Sequence, residues 1–186
     1  MLADFKRDGA ISIKVPAYGG RVYKFSTKMN NNDYIFNEHN KDEFPPAHTA
    51  EHLLNQLMIR MFGCERSRNA HIERKKSKIS YILDHKPSRQ EEREIERQMN
   101  KLIDDDLDVN YEFVDRNHLP EGVTLDRLPE DASEMLRIVR IGPDYDVCPC
   151  IGKHVRSTSQ IGRFEVLGTN WDEMTHTFRI RFKVVQ

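Results

Sequence analysis

Two pairs of side chains with metal-binding chemistry share one spacing in this sequence. His48 and His52 lie in the segment HTAEH, and Cys150 and His154 lie in the segment CIGKH near the other end of the chain. Residues i and i+4 of a helix lie on one face, so His48 and His52 can present two imidazoles to one ion. Three imidazoles and a thiolate form a donor set that Zn²⁺ prefers. The spacing therefore predicts a zinc site, with unrelated surface or core histidines as the alternative.

Glu51 directly precedes the second histidine and adds an acid–base group to the same segment. A carboxylate beside a metal ligand could act as a general base towards water. It could also orient a ligand from outside the coordination shell, or point along the helix into solvent. The residues also spell HxxEH, the inverzincin protease pattern, with Glu51 as the base. The protease interpretation leaves Cys150 and His154 without a role.

Two helices are predicted around these residues. The first begins at Pro45, because proline is tolerated in the first turn of a helix, and runs to about Phe62. The second begins at Ser88, where Ser88 and Glu91 can form a capping box. Both helices carry an apolar stripe with the 3.6-residue period, at Leu53, Leu54, Leu57, Met58 and Met61 in the first and at Ile95, Met99, Leu102 and Ile103 in the second.

Segments of alternating polarity predict the strands. They are Ile11–Val15, Arg21–Ser26, Ala70–Arg74, Lys78–Leu83, Val109–Asp115, Leu136–Ile141, Arg163–Leu167 and Thr177–Val185. The strands come in runs and do not alternate with the helices. This order predicts an α+β fold in which a mostly antiparallel sheet packs with the two long helices.

Composition limits the class of protein. The chain has 186 residues, of which 38% are hydrophobic, and this suits one domain with a core of its own, or one domain with a small extension. No apolar run approaches the ~18 residues of a membrane span, and the first ten residues lack the apolar region of a secretory signal. The three cysteines are too few for a disulfide framework, so we expect a cytoplasmic protein with no membrane contact. Of these cysteines, Cys148 is an alternative metal ligand or a small buried strand residue.

The net charge of −1 excludes a general polycation, so a nucleic-acid partner requires a local basic patch. One candidate spans residues 66–78, and the alternative is the solvated face of a hairpin. Its basic residues are Arg66, Arg68, Arg74, Lys75, Lys76 and Lys78.

The sequence resembles the aminoacyl-tRNA editing domain of alanyl- and threonyl-tRNA synthetases and of freestanding AlaX-type proteins. The segment PAHTAEHLLNQLM is similar to the HTxxHLL helix of that family. The segment CIGKHV, followed by the IGRF of Ile161, Gly162 and Phe164, is similar to its second block, CxGTHV and then IGxF. The resemblance covers about residues 45–170, in the family's order.

This resemblance implies a site, a fold and an activity. It implies that His48, His52, Cys150 and His154 hold Zn²⁺ in a pocket enclosed by the sheet and the first helix. It also implies hydrolysis of mischarged tRNA, typically Ser- or Gly-tRNA of the alanine type, at the tRNA acceptor end. With no room for a synthetase core, the chain would act in trans. We expect residues 1–40 to form an N-terminal extension, a β-hairpin, and residues 41–186 to form the metal-binding editing-type domain.

Two departures from the family pattern bear on the substrate. Glu51 replaces a small residue and Lys153 replaces the threonine of CxGTH. We expect Glu51 to be catalytic, Thr49 and Lys153 to bind substrate, and tRNA to contact the basic residues Arg74, Lys75 and Lys76. The alternative function is a catalytically inactive, zinc-stabilised module that binds RNA or protein.

Four protein ligands leave the role of the zinc open. A closed tetrahedral site is usually structural, whereas a catalytic site keeps one position free. With a loosely bound ligand or a fifth position, the ion could activate water, polarise a carbonyl or anchor the α-amino group of a substrate. Otherwise it only shapes the pocket.

Overall fold

A computed structural model describes residues 44–115, 117–120, 123 and 135–186 of the chain. The predicted hairpin of residues 1–40, with its strands Ile11–Val15 and Arg21–Ser26, lies outside the described residues. The division into an extension and a domain of residues 41–186 therefore stays a prediction. Among the described residues, no helix is both long enough and apolar enough to cross a membrane.

The described residues form two long helices and two antiparallel sheets. The elements in chain order are α1 (Pro45–Phe62), β1 (Asn69–His71), β2 (Ser77–Ile82), α2 (Arg89–Asp104), β3 (Val109–Asp115), β4 (Met135–Ile141), β5 (Asp146–Pro149), a 3₁₀ turn (Thr158–Ile161), β6 (Arg163–Asp172) and β7 (Thr177–Val185). One sheet has the strand order β1-β2-β7-β6, and the other has the order β3-β4-β5. The α+β prediction is confirmed, and the strands divide between two sheets.

Local signals explain both helices. Pro45 and Pro46 open α1, and Gly63 ends it in the left-handed conformation with φ of 66°, donating its N–H to the Ile59 carbonyl at 2.9 Å. Ser88 accepts a hydrogen bond from the backbone N–H of Glu91, whose carboxylate accepts one from the backbone N–H of Ser88. This is the predicted capping box. The apolar stripes of both helices are buried in one core with the inner face of the four-stranded sheet.

The strands differ from the predictions at β1, which ends at His71 and not at Arg74, and at β5 and β6. Strand β5 has four residues and ends in Pro149, so it carries too little alternation to be recognised as a separate strand. Strand β6 continues to Asp172, past an irregularity between Val166 and Gly168 that interrupts the alternation. β5 matters for the site because it lies against α1 and leads directly into Cys150.

Candidate metal centre

The four residues predicted as ligands come together in space. One nitrogen from each of His48, His52 and His154 and the sulfur of Cys150 all lie within 4.8 Å of one another. The ring centroids of His48 and His154 are 4.2 Å apart, and those of His52 and His154 are 4.5 Å apart. His48 and His52 come from the first two turns of α1, whereas Cys150 and His154 come from the segment after β5.

The two pairs reach the site by different backbone geometries. His48 and His52 use the predicted helical spacing, but residues 150–156 are not helical. Arg137 of β4 holds this second segment, because its Nε donates to the Cys150 carbonyl at 2.7 Å and a terminal nitrogen donates to the Gly152 carbonyl. The Cys150 N–H donates in turn to the Arg137 carbonyl at 3.1 Å. The shared spacing of the two pairs therefore does not reflect a shared structure.

Each histidine has an acceptor for its Nδ1–H within the protein. His48 donates to the Lys153 carbonyl at 3.2 Å, and His154 donates to the Thr49 hydroxyl at 3.2 Å. His52 donates to the Asp146 carboxylate at 2.7 Å. These partners assign the proton to Nδ1 in all three rings and leave each Nε2 free to act as a metal ligand.

The donor set fits a zinc ion. Nε2 of His48 and Nε2 of His154 each lie 3.5 Å from the Cys150 sulfur. Burial raises the pKa of the Cys150 thiol, but its contacts with the imidazoles of His154, His48 and His52 outweigh burial and lower the pKa to about 3. Burial also lowers the pKa of His154 to about 4. A thiolate and a neutral imidazole are the protonation states that a metal ion requires.

Asp146 is a buried carboxylate that organises one side of the site. It accepts two hydrogen bonds from Arg66, at 2.6 and 2.9 Å, and one from Gln56 at 3.0 Å, in addition to the bond from His52. Burial would raise the pKa of Asp146, but His52 and Arg66 hold it well below its usual range. Burial lowers the pKa of His52, yet the bond to Asp146 contributes to a net rise to about 9. The sequence analysis missed Asp146, which carries no signal beyond its place four residues before Cys150.

The contacts of Arg66 correct the predicted basic patch. Its side chain is 14% exposed and pairs with the fully buried carboxylate of Asp146, so it does not lie on a solvated hairpin face. Arg74, Lys75 and Lys76, in contrast, are exposed in the turn between β1 and β2. The Arg74 guanidinium lies 4.2 Å from the centroid of the Phe44 ring, next to the start of α1 and one helical turn before His48.

Glu51 lies beside the cluster and does not extend into solvent. One carboxylate oxygen is 3.8 Å from Nε2 of His52, and the side chain is 12% exposed. The other oxygen accepts a hydrogen bond from the Asn55 amide, and Asn55 Oδ1 accepts one from the backbone N–H of Ser67 at 3.0 Å. This second bond fixes which way the Asn55 amide faces. The carboxylate of Glu51 is therefore held in place, and its catalytic role stays a prediction.

Thr49 and Lys153 occupy different positions. Thr49 is fully buried; its hydroxyl donates to the Pro45 carbonyl at 2.9 Å and accepts from the His154 ring and the Val155 N–H. These contacts position His154, and a contact of Thr49 with substrate stays a prediction. The side chain of Lys153 is exposed beside the site, and only its backbone carbonyl contacts a ligand residue.

Gly152 lies against His48, and Cys148 is buried in β5. A Cβ at Gly152 would overlap the His48 imidazole, so only glycine leaves that ring its place. The family pattern CxGTH contains this glycine, but only the structure shows that the glycine makes room for His48. Cys148 is buried outside the four-residue cluster, and burial raises the pKa of its thiol to about 12. It is the small buried strand residue of the two alternatives.

Fold and site together define an α+β domain with a His₃Cys candidate metal centre. Residues 136–180, which include Cys150 and His154, match the family described as the threonyl and alanyl tRNA synthetase second additional domain. The chain is 35% identical over 123 residues to the alanyl-tRNA editing protein AlaX-L of Pyrococcus horikoshii. It is 30% identical over 125 residues to the alanine–tRNA ligase of Methanococcus maripaludis and 33% identical over 142 residues to that of Hyperthermus butylicus.

These matches confirm the resemblance to the editing domain. The match to AlaX-L covers 64% of this chain, and the matches to the ligases of Methanococcus maripaludis and Hyperthermus butylicus cover 66% and 74%. The chain spans 29% of AlaX-L and 14% and 15% of the two ligases. It therefore contains an AlaX-type editing domain.

Replacing Gly152 with alanine tests the close approach to His48. The added Cβ displaces the imidazole, so we expect zinc affinity to fall about 10- to 100-fold in a chelator competition. Gly63→Ala is the control: nothing lies within 4 Å of its added Cβ, and we expect stability to fall through the left-handed backbone while zinc affinity is kept. Equal zinc affinity in Gly152→Ala and wild type would show that the His48 ring does not need the space beside Gly152.

Replacing Asp146 with asparagine tests the buried carboxylate. The change removes the carboxylate charge from the buried pair with Arg66, and breaking such a pair costs about 3–5 kcal/mol of unfolding free energy. Urea denaturation measures this loss. The matched control is Glu165→Gln, which breaks an exposed pair with Lys183 at 2.8 Å and costs about 0–1 kcal/mol. A loss in Asp146→Asn no larger than that of the control would refute the organising role of Asp146.

Proposed function

We propose that this chain hydrolyses the ester bond of mischarged tRNA in trans, with Ser- or Gly-tRNA of the alanine type as substrate. The observation that carries the proposal is the Glu51 carboxylate held 3.8 Å from a nitrogen of the His₃Cys cluster. The relation to AlaX-L, whose name is that of an alanyl-tRNA editing protein, supports this choice of reaction. In this proposal the chain is an aminoacyl-tRNA deacylase.

The metal is part of the proposal. His48, His52, Cys150 and His154 are the residues that would hold Zn²⁺. Bound there, the ion supplies polarisation of a carbonyl oxygen or an anchor for a polar group of the substrate. The hydrogen bond from His52 to Asp146 holds the proton at Nδ1, so Nε2 is the nitrogen that would face the ion.

Glu51 acts as the general base in this proposal. It takes a proton from a water molecule that attacks the ester carbonyl carbon. When the bond to the ribose oxygen breaks, the proton passes to that oxygen, and the products are a free amino acid and an uncharged tRNA. An aminoacyl ester is already reactive, so one positioned base and one electrophilic group are sufficient. Asn55 and Ser67 hold the base in place.

The exposed cations give the tRNA its contacts. Lys153, exposed next to His154, binds the terminal phosphate or ribose. Arg74, Lys75 and Lys76 bind phosphates further along the acceptor end, from the β1–β2 turn beside the start of α1. Thr49 affects substrate binding by positioning His154, because its hydroxyl already donates one hydrogen bond and accepts two.

One observation favours a second candidate function. Four side chains converge on one point, and four protein ligands are typical of a structural zinc site. In that case the zinc stabilises a module that binds RNA or protein and does not hydrolyse it.

A deacylation assay with metal analysis on the same sample distinguishes the two functions. We expect wild type to release serine or glycine from alanine tRNA, and to spare Ala-charged alanine tRNA and Ser-charged threonine tRNA. Glu51→Gln removes the base and keeps the hydrogen-bonding shape, so kcat should fall about 10²- to 10⁴-fold with zinc content unchanged. The control is Glu65→Gln, at an exposed glutamate just after α1. Full activity in Glu51→Gln, or zinc-loaded wild type that cleaves no ester, would contradict the proposal.

The salt dependence of tRNA binding tests the β1–β2 turn. Neutralising Arg74, Lys75 and Lys76 to glutamine removes three phosphate contacts, so the slope of log K against log salt should flatten by about 2 to 3. The control triple neutralises Arg97, Lys101 and Lys183, each of which already pairs with a carboxylate. It changes the net charge equally and should keep the slope. Equal slopes in the two triples would remove the turn from the interface.

A further inference from the structure

One face of the three-stranded sheet continues beyond the part that α1 covers. Directly paired residues of antiparallel strands share a face, and the pairs Val139↔Cys148 and Ile141↔Asp146 are buried on the face towards α1. The same face extends to Tyr111, which pairs with Val139, and to Phe113, which pairs with Arg137. Tyr111 is 44% exposed and Phe113 is 67% exposed. We call these two residues the aromatic strip.

The aromatic strip borders the candidate metal centre. The Tyr111 hydroxyl accepts a hydrogen bond from the His154 N–H at 3.2 Å, and the two rings are 6.3 Å apart. The guanidinium of Arg137, which holds the Cys150 segment, lies 4.7 Å from the centroid of the Tyr111 ring. A molecule whose reacting end lies at the cluster therefore has the aromatic strip as its adjacent surface.

The charges around the strip favour an anionic occupant. Lys153 and Arg156 are exposed, and the Arg156 carbonyl accepts a bond from Val109 at the start of β3. Among the described residues, no carboxylate forms an ion pair with Lys153, Arg156 or Arg137. Asp115 is the acid on the same strand face, and it accepts a hydrogen bond from the Asn117 N–H and lies 3.7 Å from His118. Flat apolar rings with cations at their edge are complementary to a base and its phosphate.

We propose that the aromatic strip stacks the unpaired terminal nucleotide at the 3′ end of an RNA. Aromatic side chains on an exposed sheet face bind unstacked bases in this way, and every base offers a flat face. The proposal rests on the proposed function, and it assigns Phe113 and Tyr111 to the base of the nucleotide that carries the ester. Phe113 is the main stacking residue, since its ring is the more exposed and has no polar group to satisfy.

The test uses uncharged RNA, so that it does not depend on hydrolysis. Fluorescence anisotropy compares a short single-stranded RNA that ends in CCA with the same RNA whose last nucleotide lacks its base. Wild type should bind the complete RNA more tightly. Phe113→Ala should weaken that binding by roughly 5- to 100-fold and leave the Kd for the abasic RNA unchanged. Phe113→Tyr, which keeps the ring, should restore it.

A matched control removes another exposed apolar side chain. Ile82 of β2 is 65% exposed and belongs to the other sheet, so Ile82→Ala should bind both RNAs as wild type does. Equal binding of the two RNAs by wild type, or no loss in Phe113→Ala, overturns the proposal. So does a dimer that Phe113→Ala dissociates while RNA binding is unchanged, because the strip is then a contact between copies of the chain.

The outcomes also separate this inference from the proposed function. Base-dependent RNA binding that needs Phe113, in a protein that cleaves no ester, supports the stacking site and contradicts the deacylase. Ester cleavage with a normal KM in Phe113→Ala supports the deacylase and contradicts the stacking site.

Discussion

The carboxylate of Asp146 is the interaction on which the candidate site depends. Burying a carboxylate costs several kcal/mol unless charged and hydrogen-bonding partners surround it. Its partners are His52 and Gln56 from α1 and Arg66 from the segment after α1, whereas Asp146 itself begins β5. The requirement to satisfy this one group therefore fixes β5 against α1. Because β5 leads into Cys150, the same requirement brings the two halves of the cluster together.

The remaining supports of the cluster are mostly backbone groups and neutral hydroxyls. His48 donates to a carbonyl, His154 donates to a hydroxyl, and Arg137 holds the Cys150 segment by its carbonyls. Only His52 has a carboxylate as its acceptor, so the three imidazoles are not equivalent. A carboxylate acceptor makes an imidazole a stronger electron donor to a metal, whereas a carbonyl or hydroxyl acceptor has a weaker effect. The architecture gives one strongly supported ligand and two that are held mainly in orientation.

The parts of the structure that depend on local signals follow from the sequence. Pro45 and Gly63 bound α1, and the capping box of Ser88 begins α2, because these signals act within one helical turn. Strand β5, the burial of Arg66 and the acceptor role of Asp146 depend on contacts about 80 residues or more apart in the chain. Such contacts leave no periodic pattern, and a run of basic residues looks the same whether one member is buried or not. The four candidate ligands could be predicted from the sequence, but the backbone conformation that places Cys150 and His154 beside His48 and His52 could not.

We expect His48, His52, Cys150 and His154 to form a single zinc site. Zinc X-ray absorption on the full chain, with the metal-to-protein ratio measured on the same sample, tests it most directly. We expect one zinc per chain with one sulfur at about 2.3 Å and three nitrogens at about 2.0–2.1 Å. The sulfur should disappear from the shell in Cys150→Ser and remain in Cys148→Ser. A chain that does not retain one equivalent of zinc, or a coordination shell without sulfur, would contradict a single His₃Cys site.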